Sequence, residues 1–156
     1  EYECMIGVQE VAREFKFPRC TEQEQDVTTI INKMLEFPEA TYCATGKESM
    51  KKSEATYKKC LIDTQGKACF IALGLGESID PSRPYRDGFE VGVMYRADYK
   101  SISIYADPKS NHTFVGKEFS GVVFTGHPKA VGSPRGVVQT VEKAIDVYDA
   151  ICKRYF

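Results

Sequence analysis

The chain has 156 residues, 42% of them hydrophobic and 28% charged, with a formal net charge of −1. That length supports one apolar core and is too short to expect two domains, and the composition is globular rather than disordered. The near-neutral balance gives no global field to recruit nucleic acid or an anionic membrane, and no apolar run approaches the roughly 18–20 residues of a membrane span.

In chain order, the first expected helix runs from about 21 to 37. Thr21 and Glu24 form a capping box, each side chain satisfying an orphan amide. Val27, Ile30, Ile31, Met34 and Leu35 then make one apolar stripe, and Pro38 ends it. Residues 44–58, rich in Lys, Glu, Ser and Thr, read as a solvated loop or a short polar helix. Glu48 and Glu54 interrupt the lysines there, which favours a solvated face over an RNA track.

From 59 the period changes to that of strands. Lys59 to Leu73 predicts a hairpin turning at Asp63-Thr64-Gln65-Gly66. Phe89 to Tyr95, Ser101 to Ala106 and Phe119 to Thr125 predict three further strands. Ile102, Ile104 and Ala106 alternate with Ser103 and Tyr105, the half-buried pattern. Gly74-Leu75-Gly76 lacks the third glycine and the lysine of phosphate loops and reads as a turn. Ser133-Pro134 predicts the start of a second helix reaching about Arg154, with Val137, Val141, Ala144, Ile145, Tyr148, Ile151, Cys152 and Tyr155 on one face. The expected fold is therefore a single α+β domain over 1–156. An antiparallel sheet of about 59–125 carries the early helix on it, and the late helix spans about 134–154.

The six cysteines are Cys4, Cys20, Cys43, Cys60, Cys69 and Cys152. They form no Cys-x-x-Cys pair, and only His112 and His127 could join them, so neither a metal site nor a cofactor is expected. All six are expected in disulfides, although fifteen complete pairings stay open. A Cys4–Cys152 bridge would close almost the whole chain and remove on the order of 4–5 kcal/mol of unfolded-state freedom. Persistent bridges need an oxidising compartment, so secretion is expected. A first residue of Glu1 rather than Met fits a processed secretory product, and Asn111-His112-Thr113 is a compatible glycosylation sequon.

Tyr2-Glu3-Cys4 resembles the aromatic-x-Cys start of small secreted fungal ribonucleases and of the ribonuclease-like effectors of powdery mildews. Phe89-Glu90 resembles that family's aromatic-Glu pair on a central strand, where the glutamate is the general base. Ser101 to Asp107 resembles the next strand, and Phe119-Ser120-Gly121-Val122-Val123 resembles the strand leading to the general-acid histidine. The resemblance implies a Cys4–Cys152 bridge and a helix packed across an antiparallel sheet. This chain departs from the pattern in its chemistry. Thr125 stands where the acid histidine is expected, with His127 two residues on. Lys100, Ser101 and Ser103 stand where the arginine is expected, with Arg96 nearby. Residues 44–58 and the long helix after Ser133 are further departures.

What the resemblance implies is a secreted effector with a ribonuclease-like fold and no turnover. Glu90, Arg96, His127 and Lys129 would line a degenerate cleft, Glu90, His127 and Arg96 being the candidates for any residual catalysis. It would act as a monomer, extracellularly or inside host cells, by binding host protein, an immune receptor included, or RNA. A working endoribonuclease of the same fold is the alternative, and an unrelated secreted toxin or inhibitor a third.

Overall fold

A computed structural model describes residues 2–14, 32, 35, 36 and 39–156, in two compact units, Glu1–Glu54 and Ala55–Phe156. In the first, helix α1 (Tyr2–Glu14) crosses the early part of α2 (Glu39–Cys60). Two glycines make the crossing possible. A Cβ at Gly7 would collide with the Tyr42 carbonyl, and one at Gly46 with the Glu3 carbonyl, so the two backbones touch where larger residues would hold them apart. Tyr2-Glu3-Cys4 begins a helix. Residues 44–58 are helical, within a longer element than expected. Most of the helix expected over 21–37 lies outside the described residues.

The second unit is built on a six-stranded sheet of order β1-β2-β3-β4-β8-β7. Its strands are β1 (Leu61–Gln65), β2 (Ala68–Leu73), β3 (Val91–Arg96), β4 (Ser101–Ala106), β7 (Thr125–His127) and β8 (Ala130–Gly132). All neighbours pair antiparallel except β2 and β3, which are parallel and aligned from Ala68↔Val91 to Leu73↔Arg96. A parallel pair needs a crossover, supplied by residues 74–90 with the short helix α3 (Arg83–Arg86). The two parallel strands are buried almost throughout, as a strand covered on both faces must be. β1 is the opposite case, an edge strand whose Ile62 to Gln65 are exposed.

Helix α4 (Val141–Tyr155) covers one face of this sheet. Its Ala144, Val147, Tyr148, Ile151 and Cys152 pack with Phe70, Val91, Val93, Ile102, Ile104 and Val131. Phe119 to Thr125 does not form one strand. Ser120 and Gly121, both at positive φ, turn it back on itself as a two-stranded hairpin, β5 (Glu118–Phe119) with β6 (Val122–Val123). That hairpin sends Phe119 and Val122 into the same core. On the second face Tyr57 and Cys60 of α2 pack with Cys69, Ile71, Leu73, Ile79 and Met94.

The C-terminal helix starts later than Ser133-Pro134 predicts. Ser133 is consumed by the sheet: its amide donates to the Ile102 carbonyl at 2.8 Å and its Oγ accepts from the Ile102 amide at 3.0 Å. Thr140 is the cap instead, its Oγ1 accepting from the Lys143 amide at 3.2 Å. Val137, expected on the helix face, is therefore outside the helix and 53% exposed.

Cys43, Cys60, Cys69 and Cys152 are free thiols, so the expected Cys4–Cys152 tie is not formed. The side chains of Cys4 and Cys20 lie outside the described residues. Cys152 serves as a small apolar residue in the core beneath α4. Burial, with Glu77 beside it, pushes the Cys60 thiol up to about 11, and burial pushes Cys69 up to about 12. Stability here comes from packing. Ile104→Ala is expected to cost about 2–5 kcal/mol and Thr140→Ala about 1 kcal/mol in urea unfolding. Of the four described cysteines, only half-exposed Cys43 should react with a thiol reagent in the native protein. All four should react after unfolding without reductant, and fewer than four reacting thiols would contradict the free-thiol assignment.

Candidate functional site

β3 sets the positions of the candidate residues. Glu90 stands just before its first residue and Arg96 is its last. At about 3.3 Å per residue the two are roughly 20 Å apart.

The parallel register with β2 brings Lys67 alongside Glu90. The Glu90 amide donates to the Lys67 carbonyl at 2.8 Å, and the Lys67 ammonium pairs with one Glu90 carboxylate oxygen. His112 Nε2 meets the other at 3.0 Å. Lys67 and His112 together hold the Glu90 carboxyl below the usual glutamate range. His112 is walled by aromatic rings, stacked on Phe114 and edge-on to Tyr155 and Phe156. Lys129 Nζ then donates to the carbonyls of Ser110 at 2.6 Å and His112 at 2.8 Å. Glu90 and Lys129 thus belong to one cluster, which fastens the loop 107–114 to the end of the sheet. A glutamate already engaged by a lysine and a histidine is poorly placed to take a proton from a substrate.

His127 lies elsewhere. It is exposed on edge strand β7, its Nδ1 accepting from the Lys129 amide at 3.2 Å. Three strand spacings put it on the order of 15 Å from Glu90. The residues expected to share a cleft are therefore dispersed: Glu90 and Lys129 together, His127 on the sheet edge, Arg96 at the far end. The histidine beside Glu90 is His112, and no local signal marks it, because the contact depends on how the loop 107–114 folds back.

Arg96 sits in a different kind of place. On the second face, the apolar cluster around Met94 reaches β4 at Tyr105, which packs against it. Beyond it β4 and β8 present Ser101, Ser103, Ala130 and Gly132. A groove of about 380 Å³ lies over these strands, lined by Tyr99, Ser101, Ser103, Gly132 and the loop from Ser133 to Val137. That loop is pinned at one end by Ser133 on Ile102. At the other, the Gln139 amide donates to the Lys100 carbonyl at 2.8 Å. Among the described residues, the only charged side chain lining the groove is Arg135. Arg96 lines a smaller adjoining cavity of about 140 Å³ that shares Tyr99. Its Nη2 donates to the Tyr105 hydroxyl at 2.9 Å, while its Nε is buried without a hydrogen-bond partner. A buried donor left unpaired costs on the order of 1–3 kcal/mol.

Among the described residues no group of three or more His, Cys, Asp or Glu could hold a metal ion, and no helix is long and apolar enough to cross a membrane.

The depressed Glu90 carboxyl gives a pH test with a fixed sign. Ionisation is favoured in the folded state, so the contribution is present above the ordinary glutamate value of about 4.3 and is lost as pH falls through the lower folded value. The stability gap between wild type and Glu90→Gln should be full above the ordinary glutamate value and shrink as pH falls below it in urea unfolding. A gap independent of pH would mean that Glu90 acts through packing alone.

No family model and no curated protein matches the chain. One solved structure it resembles is a pGpG-specific phosphodiesterase, PggH, from Vibrio cholerae, at a TM-score of 0.54 and 14% identity. The match covers 80% of this chain and 45% of that one, so the chain spans less than half of that protein's length. At such identity the likeness is one of fold.

Proposed function

We propose that this protein works by binding a small ligand rather than by turnover, and that the groove over β4 and β8 is the binding site. The observation that carries this reading is the groove itself. Its volume of about 380 Å³ falls within the range of small-molecule sites, and serine hydroxyls and a guanidinium converge on an otherwise neutral wall. Phosphodiester cleavage would need a base, an acid and a cation around one phosphate. Glu90, His127 and Arg96 stand too far apart to act on one. The neighbour's pGpG activity is not carried over, because the shared portion is a minority of that protein.

The narrower reading, a secreted ribonuclease-like effector that binds host protein or RNA, shares the claim of binding without cleavage. It rests on the sequence resemblance.

Two measurements test the proposal. Incubated with single-stranded RNA, the protein should cleave no more than a blank, and Glu90→Gln and His127→Ala should behave like wild type. Cleavage lost in both variants would overturn the non-catalytic reading. In an NMR screen against a library of small polar fragments, binders should shift the amides of Ser101, Ser103, Gly132 and Arg135. Gly132→Val should suppress those shifts. A Cβ at Gly132 meets nothing nearer than the Ile102 carbonyl oxygen at 4.0 Å, so the position has room for a side chain to begin there and narrow the groove. The melting temperature should stay within ~2 °C of wild type. Fragment shifts that avoid these residues would contradict the assignment of the groove.

A further inference from the structure

We infer that the groove selects an anion, the carboxylate or phosphate group of a small ligand, with Arg96 as its anchor and Arg135 at its lip. This rests on the groove being a binding site and goes beyond it by naming the chemistry of the occupant.

Three observations converge. First, Arg96 has a charge without a counter-charge. Among the described residues no carboxylate lies within ion-pair distance of it, and its Nε has no partner at all. The two acids of its cavity are turned to other donors. Both Asp98 carboxylate oxygens accept from the Gly76 amide at 3.0 and 3.1 Å, and Glu77 accepts from Lys59 and Cys60. A buried guanidinium N–H is normally paired, and the fork of donors around it suits the two oxygens of a carboxylate or a phosphate.

Second, the guanidinium is held beside the groove. In the β3–β4 register Arg96 faces Ser101, Met94 faces Ser103, and Gly92 faces Tyr105. For Arg96 to reach the Tyr105 hydroxyl, its side chain must run back along the face across the Met94–Ser103 row. Ser101 and Ser103 line the groove, so their hydroxyls lie on the face of the sheet along which that side chain runs. Gly92 and Gly132 leave the neighbouring positions without side chains.

Third, the groove is biased in sign. Among the described residues no Asp or Glu lines it, and Arg135 does. An open groove with a positive charge and hydroxyl donors favours an anion over a cationic ligand.

The test uses the full chain, with inorganic phosphate and acetate as probes and chloride at matched ionic strength as the control. Backbone amides and the Arg96 Nε–H are followed by NMR. Saturable shifts at Arg96, Ser101 and Ser103 with phosphate, acetate or both are expected, and chloride should not reproduce them. A response to phosphate alone assigns a phosphate-bearing ligand, and a response to acetate alone a carboxylate. Arg96→Gln should weaken the response at least about tenfold, and Arg135→Gln by about two- to fivefold. Should Arg96→Gln fail to fold, Arg96→Lys decides, because it keeps the charge and loses the fork, so binding should weaken while the fold persists. Shifts equal in chloride, or unchanged in the folded Arg96 variants, would overturn the inference. Neutral fragments binding the groove with no response to either anion would overturn it while leaving the groove a binding site. Silence toward both fragments and anions at these residues would remove the groove reading as well.

Discussion

The position of β3 in the sheet constrains everything else. It pairs parallel with β2 and antiparallel with β4, so it is central and buried, and its six residues separate Glu90 from Arg96. Each end of the strand then meets a different environment. At the start, the parallel register presents Lys67, and the loop 107–114 adds His112, so the acid is neutralised by its own chain. At the end, the antiparallel register presents serines and a tyrosine, and among the described residues no carboxylate pairs with the cation. The same strand thereby divides a structural cluster from a candidate site.

The sheet's two faces follow from the same arrangement. Alternation in β4 sends Ile102, Ile104 and Ala106 beneath α4 and leaves Ser101, Ser103 and Tyr105 opposite. Apolar cover from α2 and the crossover reaches β2 and β3, where Cys69, Ile71 and Met94 are buried, and meets β4 at Tyr105 without extending to Ser101, Ser103 or β8. The groove occupies the part of that face where hydroxyls and glycines replace large apolar residues. Its outer wall is the loop that the sequence suggested as the first turns of a helix. Ser133 bonding to Ile102 makes it a wall, because that bond holds the chain to the sheet for one more residue before it leaves.

Local patterns were readable where they decide structure locally. The period-two pattern of 101–106 gave β4 with its correct faces, and the apolar stripe around Ala144, Tyr148 and Ile151 gave the buried side of α4. The helix start was misplaced because Ser-Pro is a sound cap signal that a tertiary hydrogen bond overrode. The hairpin at 118–123 carried a legible sign, the Ser120-Gly121 turn within an apolar run, which an unbroken strand would not contain. The parallel pairing of β2 with β3 left no local trace, and neither did the Glu90–His112 contact or the Arg96–Tyr105 bond, since each is set by register between distant segments. The cysteines misled for a related reason. Their positions along the chain suggest bridges, while Cys60, Cys69 and Cys152 are placed by their apolar character in cores on both sides of the sheet.

The most direct measurement is electron density from crystals grown in chloride and then transferred to phosphate. The account predicts a tetrahedral anion within hydrogen-bond distance of the Arg96 guanidinium and of Ser101 or Ser103, with Glu90 still engaged by Lys67 and His112 at the other end of β3. Arg96 paired with a carboxylate of its own chain, or drawn together with Glu90 and His127 around one phosphate, would contradict it.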